Sequence, residues 1–241
     1  MGIDDYFDKN VEIYSSSILT NYQTAFIKFI KKNYNNNQKL IDIGGGSGHF
    51  AYSVLENCPD IHVAVIDPSL KLLEKVDPRI EKKFGQLPQI DLGDKFDYIH
   101  MSSVLHHIVG PSINKSQDLA LESLENINEL LNPNGFFFLQ DLFYEGYVIP
   151  SIPRSIIFYI CAFNKKGFKL PLKDFVEDLE VCFYTRKELT SMLKRSGFKI
   201  IKKWENDYTN TLSKEKNRSY KRKMILLKKW GNVAYLVKKS D

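Results

Sequence analysis

A glycine-rich run is the first group of residues in this sequence that could bind a ligand. It reads Asp-Ile-Gly-Gly-Gly-Ser-Gly from Asp42 to Gly48, between a predicted strand and a predicted helix. Glycines let a ligand approach the backbone closely, and a helix start offers free N–H groups and a positive dipole end. A dinucleotide-binding loop would need a glycine where His49 stands, and a P-loop would need Gly-Lys-Ser/Thr, which is absent. The pattern that fits is an acid, Asp42, followed by Gly44, Gly46 and Gly48.

A second acidic residue, Asp67, ends the next predicted strand, 23 positions after Gly44. A carboxylate at this place can accept hydrogen bonds from both hydroxyls of a ribose. The alternative interpretation is a simple turn aspartate, because Pro68 follows it directly. Combined with the glycine run at this distance, Asp67 predicts a nucleoside-binding site at the ends of the first two strands.

Two further segments point in the same direction. Residues 96–108 read Phe-Asp-Tyr-Ile-His-Met-Ser-Ser-Val-Leu-His-His-Ile, and residues 183–198 contain a capped helix that runs into Ser-Gly-Phe. With the acid and the glycine run, these segments resemble the class I S-adenosylmethionine-dependent methyltransferases. The segment 96–108 is similar to small-molecule enzymes such as those of quinone biosynthesis and arsenite methylation. The resemblance covers 38–142 closely and 185–238 in architecture.

The resemblance implies S-adenosylmethionine as the cofactor and assigns its contacts. In that family the glycine loop wraps the methionine part, and the acid, here Asp42, helps to bind its amino group. Gln86 lies where the family contacts adenine and often has an acid, although its amide can still bond the exocyclic amine. Tyr6 and Tyr14 resemble tyrosines that close over the cofactor and substrate, with simple packing as the alternative. The predicted cofactor-binding residues are Asp42, Gly44, Gly46, Gly48, Asp67, Pro68, Gln86, Leu87, Met101 and Tyr14.

A general base is needed only if the methyl acceptor arrives protonated. His106 and His107 follow the fourth predicted strand, at the sheet edge where ligands collect in open α/β folds. Because histidine titrates near neutral pH, we predict His106 as the catalytic base. The alternative is that one histidine caps the next helix and the other packs on the cofactor. Asp141 and Tyr144, predicted past the fifth strand, also face this edge, and structural roles are equally open for them.

Missing motifs narrow the chemistry. No Asn-Pro-Pro-Tyr follows the fourth strand, so the chain does not resemble the amino methyltransferases of adenine or glutamine. No Pro-Cys pair supplies a nucleophile for cytosine C5 methylation. Leu142 follows Asp141 where catechol-type enzymes have an Asp-Asn metal pair, so no metal site is predicted.

Regularly alternating strands and helices must position these residues. Apolar runs near 40–43, 61–66, 80–84, 96–101 and 135–142 are separated by helical patterns, and two more strands follow near 198–204 and 232–237. This order predicts an α/β, Rossmann-like, doubly wound and mostly parallel seven-stranded sheet, with a helical insertion after strand 5. We expect one domain over 1–241.

Three parts of this domain lie outside the regular alternation. They are an N-terminal helical cover at 1–37, whose helix is predicted at about 18–33, an insertion at 143–183 and a basic loop at 205–231. The insertion is rich in Phe, Tyr and Ile, which suggests that it covers an apolar or aromatic substrate. The alternative is that these residues only pack on the sheet.

The composition is that of an ordinary globular protein. Among 241 residues, 43% are hydrophobic and 26% charged, which excludes disordered and coiled-coil classes. The sequence starts with several aspartates and resembles no signal peptide, and the three cysteines (Cys58, Cys161 and Cys182) form no disulfide or zinc pattern. We therefore expect reduced core cysteines in a cytoplasmic protein.

Positive charge is concentrated at the C-terminus. Residues 194–241 hold 15 Lys/Arg and 4 Asp/Glu, and the density is highest at 214–229. This segment is either a solvated loop or a surface for an anionic partner or a membrane. The main prediction is a methyltransferase acting on a small apolar or aromatic molecule, with no nucleic acid as partner. The alternatives are an enzyme that modifies RNA or protein docked on the basic loop, and a non-catalytic scaffold that only binds the cofactor. The oligomeric state stays open.

Overall fold

The computed structural model describes residues 3–14, 18–90, 92–167, 179–209 and 225–240. Within them, seven strands form one sheet in the order β3-β2-β1-β4-β5-β7-β6. Neighbours from β3 to β5 run parallel, whereas β7 is antiparallel to both β5 and β6. The predicted doubly wound, mostly parallel sheet is confirmed. The strands are β1 (Lys39–Ile43), β2 (His62–Asp67), β3 (Glu81–Phe84), β4 (Phe96–Ser102), β5 (Leu131–Gly146), β6 (Phe198–Asp207) and β7 (Leu227–Lys239).

Helices cover both faces of this sheet. They are α1 (Ile3–Lys9), α2 (Val11–Tyr14), α3 (Asn21–Asn33), α4 (His49–Asn57), α5 (Leu70–Glu74), α6 (Ile113–Leu130), α7 (Ile152–Lys165) and α8 (Arg186–Arg195), with a 3₁₀ helix at Leu105–His107. Side chains alternate along β1, so Leu40 packs with Phe26 of α3 and Phe50 of α4. Ile41 points to the other face and joins Leu124 of α6 and Leu193 of α8.

Capping boxes fix the starts of two helices. At α8, Thr185 accepts a hydrogen bond from the Glu188 backbone and Glu188 accepts one from Thr185, as the sequence predicted. At α3, Thr20 and Gln23 form the same reciprocal pair. The helix predicted from about residue 18 therefore begins at Asn21.

The fifth strand is longer than predicted. The pattern suggested an end at Leu142, but β5 continues to Gly146, so Asp141 and Tyr144 lie within the strand rather than past it. Its parallel partner β4 ends at the pair Ser102–Gln140, while pairing with β7 continues to Gly146. The added hydrogen bonds to β7 account for the difference.

The structure revises the predicted description of the insertion, the basic loop and the N-terminal cover. The insertion at 143–183 begins inside β5 and contains α7, and its residues 168–178 lie outside the described part. The basic loop at 205–231 is shorter, because 205–207 belong to β6 and 227–231 to β7. Its residues 210–224 lie outside the described part, and with them most of the basic segment 214–229. The N-terminal cover contains two short helices, α1 and α2, that were not predicted.

Cys58, Cys161 and Cys182 are buried and free, as predicted. Across the described ranges, every helix is too short or too polar to cross a bilayer.

Candidate functional site

The glycine loop lies where three parallel strands end together. Register places Ile43 at the end of β1 beside Ile66 of β2 and Met101 of β4. The loop then folds towards β2, because the N–H of Gly44 donates to the carbonyl of Ile66 at 2.7 Å. The predicted glycine loop therefore lies at the sheet edge where the sequence predicts that a ligand binds.

Glycine is required in this loop for two different reasons. Gly44 has φ +65°, and a Cβ there would lie 2.3 Å from Cγ2 of Val104. Gly45 has an ordinary φ, but its Cβ would lie 2.6 Å from Oδ2 of Asp42. At Gly46 a Cβ would meet only Leu72, at 3.7 Å. Val104 and Asp42 thus pack tightly against Gly44 and Gly45, whereas space remains beside Gly46.

Asp67 fixes the other side of the loop. Its Oδ2 accepts a hydrogen bond from the N–H of Gly46 at 2.9 Å, and its Oδ1 accepts one from the N–H of Ser69 at 2.8 Å. Burial raises the pKa of Asp67 to about 6, with a smaller rise from the charges of Asp42 and Asp8 and an opposing effect of the two backbone hydrogen bonds. A carboxylate of raised pKa therefore stands beside the glycine loop.

Helix α1 lies against this region. Oδ1 of Asp8 accepts a hydrogen bond from the Ser69 hydroxyl at 2.5 Å, two residues after Asp67. The ring of Phe7 meets His107 edge-on, with centroids 5.5 Å apart. One short helix of the predicted N-terminal cover thus contacts both the loop after β2 and the histidines after β4.

His106 forms a buried pair with Asp141. Its Nδ1 lies 2.5 Å from Oδ1 of Asp141, and its backbone N–H donates to Oδ2 of the same carboxylate at 3.1 Å. Because the carboxylate faces Nδ1, that nitrogen carries the proton and Nε2 is left as the basic atom of a neutral ring. The arrangement suits a base whose orientation is fixed by an acid.

Apolar and uncharged groups surround this pair. Phe183 stacks on His106 with centroids 4.9 Å apart, and Tyr144 lies 4.5 Å from Phe183. Burial, and then the neighbouring His106, hold the pKa of His107 well below its usual value, so His107 stays neutral. Burial raises the pKa of Tyr144, which stays a neutral phenol. His106 and Asp141 are thus the polar pair in an aromatic environment.

Asp42 is also paired with a histidine. Its Oδ1 lies 2.6 Å from Nδ1 of His100 on β4, and both side chains are 2% exposed. The sequence did not indicate this contact. A histidine between the apolar residues Ile99 and Met101 of a predicted buried strand was the available signal, since a buried imidazole needs hydrogen-bond partners.

The other predicted cofactor residues differ in exposure. Pro68 is half-buried, Gln86 is exposed and Leu87 is buried. Met101 is fully buried in the core and has no exposed surface in the structure. Tyr14 ends α2, and its side chain lies outside the described residues. Among the residues that the structure describes, no cluster of three or more His, Cys, Asp or Glu side chains could hold a metal ion.

Two comparisons bear on the family. Residues 18–203 match a family model described as a methyltransferase domain. No curated protein matches the sequence at a significant level.

Solved structures show the same fold. Phosphoethanolamine N-methyltransferase 2 of Haemonchus contortus, in complex with S-adenosyl-L-methionine, matches with a TM-score of 0.67 and 14% identity over 100% of this chain, which spans only 60% of that enzyme. The 1,6-didemethyltoxoflavin-N1-methyltransferase of Burkholderia thailandensis, with S-adenosylhomocysteine bound, gives a TM-score of 0.60 and 14% identity over 98% of this chain and 85% of its own. A candidate sarcosine dimethylglycine methyltransferase of Galdieria sulphuraria gives 0.59 and 16%, over 91% and 84%.

Proposed function

The chain belongs to the methyltransferase-domain family and is a class I S-adenosylmethionine-dependent methyltransferase, and on this premise we propose that it methylates a small apolar or aromatic molecule with His106 as general base. The observation that carries the proposal is the buried His106–Asp141 pair at the same sheet edge as the glycine loop.

The residues at this edge fit S-adenosylmethionine. The loop offers backbone with space at Gly46, and Asp67 stands directly beside it. Each oxygen of Asp67 accepts one backbone hydrogen bond and has a further lone pair for a ribose hydroxyl. We assign the ribose to Asp67 and the amino group to Asp42, which lies beneath Gly45. Bound there, the cofactor supplies an electrophilic methyl group on a sulfonium.

His106 prepares the acceptor by removing its proton. Nε2 takes the proton from an O–H or N–H acceptor, and Asp141 stabilises the imidazolium that forms through the Nδ1 contact of 2.5 Å. Asp141 also accepts the N–H of Leu142 at 2.6 Å, so the carboxylate is held by the backbone as well. The protein contributes orientation and a place for the proton.

The surroundings of His106 favour an apolar or aromatic acceptor. Phe183 lies next to the base, Tyr144 packs on Phe183, and Trp230 of β7 stacks on Tyr144 at 6.0 Å. Aromatic rings of a substrate gain both burial and ring contacts in such an environment. Two of the solved relatives are N-methyltransferases of small molecules, which supports a small acceptor; phosphoethanolamine is polar, so the preference for an apolar or aromatic acceptor rests on the rings near His106.

The test is methyl transfer from labelled S-adenosylmethionine into fractions of a metabolite extract. We expect a labelled small molecule with the wild-type protein. His106→Ala should lower the rate by about 10²-fold or more, with unchanged cofactor affinity by calorimetry. His62→Ala is the matched control, because His62 is exposed at the opposite end of β2. A His106→Ala rate equal to that of the wild type would contradict the assignment.

A second candidate is the methylation of RNA or protein. It is favoured by the exposed lysines Lys199, Lys202 and Lys203 on the edge strand β6, which precedes the basic segment 214–229 in the sequence. Within the described residues this charge is partly balanced, since Lys203 pairs with Glu205 at 3.1 Å. Salt-dependent binding of RNA by the wild-type protein would support this candidate over the first.

A further inference from the structure

A chain of hydrogen bonds joins the start of α3 to Asp42. We propose that His100 is a positioning residue for the Asp42 carboxylate, and that Gln23 of the α3 capping box selects the proton position on the His100 ring. The inference rests on the proposed function in one respect, namely that Asp42 binds the amino group of the cofactor.

The capping box determines which way the Gln23 amide points. Gln23 Oε1 accepts a hydrogen bond from the N–H of Thr20 at 2.9 Å, and the N–H of Gln23 donates to Oγ1 of Thr20 at 3.1 Å. An oxygen is required at the first of these contacts, because the backbone N–H is a donor. The amide nitrogen Nε2 is therefore the atom that faces His100, at 3.3 Å from its Nε2.

This orientation fixes the tautomer of His100. The Gln23 amide nitrogen only donates, so Nε2 of His100 must accept and carries no proton. The proton of the neutral ring is then on Nδ1, where it donates to Oδ1 of Asp42 at 2.6 Å. Asp42 thus keeps its negative charge and has one oxygen held in place.

Aromatic packing restricts the orientation of the His100 imidazole. The rings of Phe50 and Phe138 lie nearly parallel to it, with centroids 3.6 and 5.4 Å away, and Phe26 of α3 stacks at 6.4 Å. His100 is 2% exposed. The position of the proton on the His100 ring is therefore determined by the two contacts of its nitrogens, to Gln23 and to Asp42.

The held carboxylate lies directly under the glycine loop. A Cβ on Gly45 would come within 2.6 Å of Asp42 Oδ2, so this oxygen faces the loop backbone. At its other end this chain of hydrogen bonds is anchored to the sheet, because the Thr20 hydroxyl donates to Oε1 of Gln140 on β5 at 2.8 Å. The position of α3 is thus coupled to the charge that meets the ammonium group of the cofactor.

The decisive variant is Gln23→Glu. Glutamate preserves the capping box, which uses Glu or Gln at this position, but it presents an acceptor to Nε2 of His100. His100 then takes a second proton. The new carboxylate keeps the net charge of the group unchanged, but the imidazolium is the group that contacts Asp42 and competes with the ammonium group of the cofactor for its charge. We expect S-adenosylmethionine to bind about tenfold more weakly by calorimetry, a typical size for coupling between two sites. The rate at saturating cofactor should change much less than this.

Nitrogen NMR of His100 supplies a readout that a purely structural role would not move. The wild-type protein without cofactor should show a neutral ring protonated on Nδ1, and Gln23→Glu should show both nitrogens protonated. Gln38→Glu is the matched control, because Gln38 Oε1 accepts the N–H of Asn35 at 2.9 Å far from the loop. It should leave the His100 resonances and the cofactor affinity unchanged.

Two results would overturn the proposal. One is a wild-type ring protonated on Nε2, which needs no variant to fold. The other is a Gln23→Glu protein with a doubly protonated ring and undiminished cofactor affinity. Failure of the wild-type protein to bind S-adenosylmethionine would instead count against the proposed function, and the NMR result would still decide the tautomer.

Discussion

Replacing Asp67 by asparagine separates the stability of the empty protein from its affinity for the cofactor. Asp67 is buried and holds two backbone N–H groups, those of Gly46 and Ser69. Burial raises its pKa from the ordinary value of 3.8 to about 6. The folded protein without cofactor therefore carries an ionised carboxylate at neutral pH that the unfolded chain would hold more favourably.

The magnitude follows from linkage. The folded state binds the proton more tightly than the unfolded state, so stability falls as the pH rises from about 4 to about 6 and then levels off. The difference between 3.8 and about 6 corresponds to about 3 kcal/mol, of which about 2 kcal/mol develops between pH 4.5 and pH 7. The asparagine in Asp67→Asn cannot ionise and keeps one of the two backbone contacts, at a cost of about 1–3 kcal/mol that does not depend on pH.

Denaturant unfolding of both proteins without cofactor, from pH 4.5 to pH 7.5, measures this directly. The stability of Asp67→Asn relative to wild type should rise by about 2 kcal/mol with pH, about 4–8 °C in Tm for a chain of this size. Asp60→Asn, at an exposed aspartate, is the control. S-adenosylhomocysteine should raise the Tm of the wild type and have little effect on the variant. A stability difference that is independent of pH would refute the reasoning about Asp67.

Two further predictions concern the acceptor side and the basic segment. Asp141→Asn should lower the methylation rate by about 10²-fold or more, because an amide no longer enforces the proton on Nδ1 of His106, while calorimetry shows unchanged cofactor affinity; an unaltered rate would count against the pair. Reversing the charges of residues 221–223 to Glu should leave the rate on a small substrate unchanged, and a collapse of that rate would favour a docked macromolecule instead.

The glycine loop and Asp67, to which we assign the cofactor, could be placed in the fold from sequence because their signals are local. The spacing of Gly44, Gly46 and Gly48 after Asp42 requires a tight loop after a strand, and the structure contains one with positive φ at all three glycines. Asp67 ends the next strand, so the alternation of elements alone brings it to the same edge. The sheet and its two packed faces followed from the same alternation.

The acceptor side was not predictable in the same way, since its contacts join distant parts of the chain. His106 and Asp141 are 35 residues apart, and their pairing depends on how far β5 continues beyond β4. The length of β5 depends on its pairing with β7, which lies far along the chain. The register of that pairing could not be predicted from sequence. The short helix α1 was missed because its aspartates interrupt any apolar repeat, and its contacts through Asp8 and Phe7 are tertiary.

The place of β7 in the sheet has a consequence for synthesis on the ribosome. Strand β6 emerges before β7, yet β7 is its partner in the sheet and also the outer neighbour of β5. A nascent chain that has reached residue 207 can assemble β1 to β5, but β5 then has an open edge and Tyr144 lacks Trp230. The half that carries the glycine loop and Asp67 can thus form first, and the aromatic wall near His106 is completed only when β7 leaves the exit tunnel.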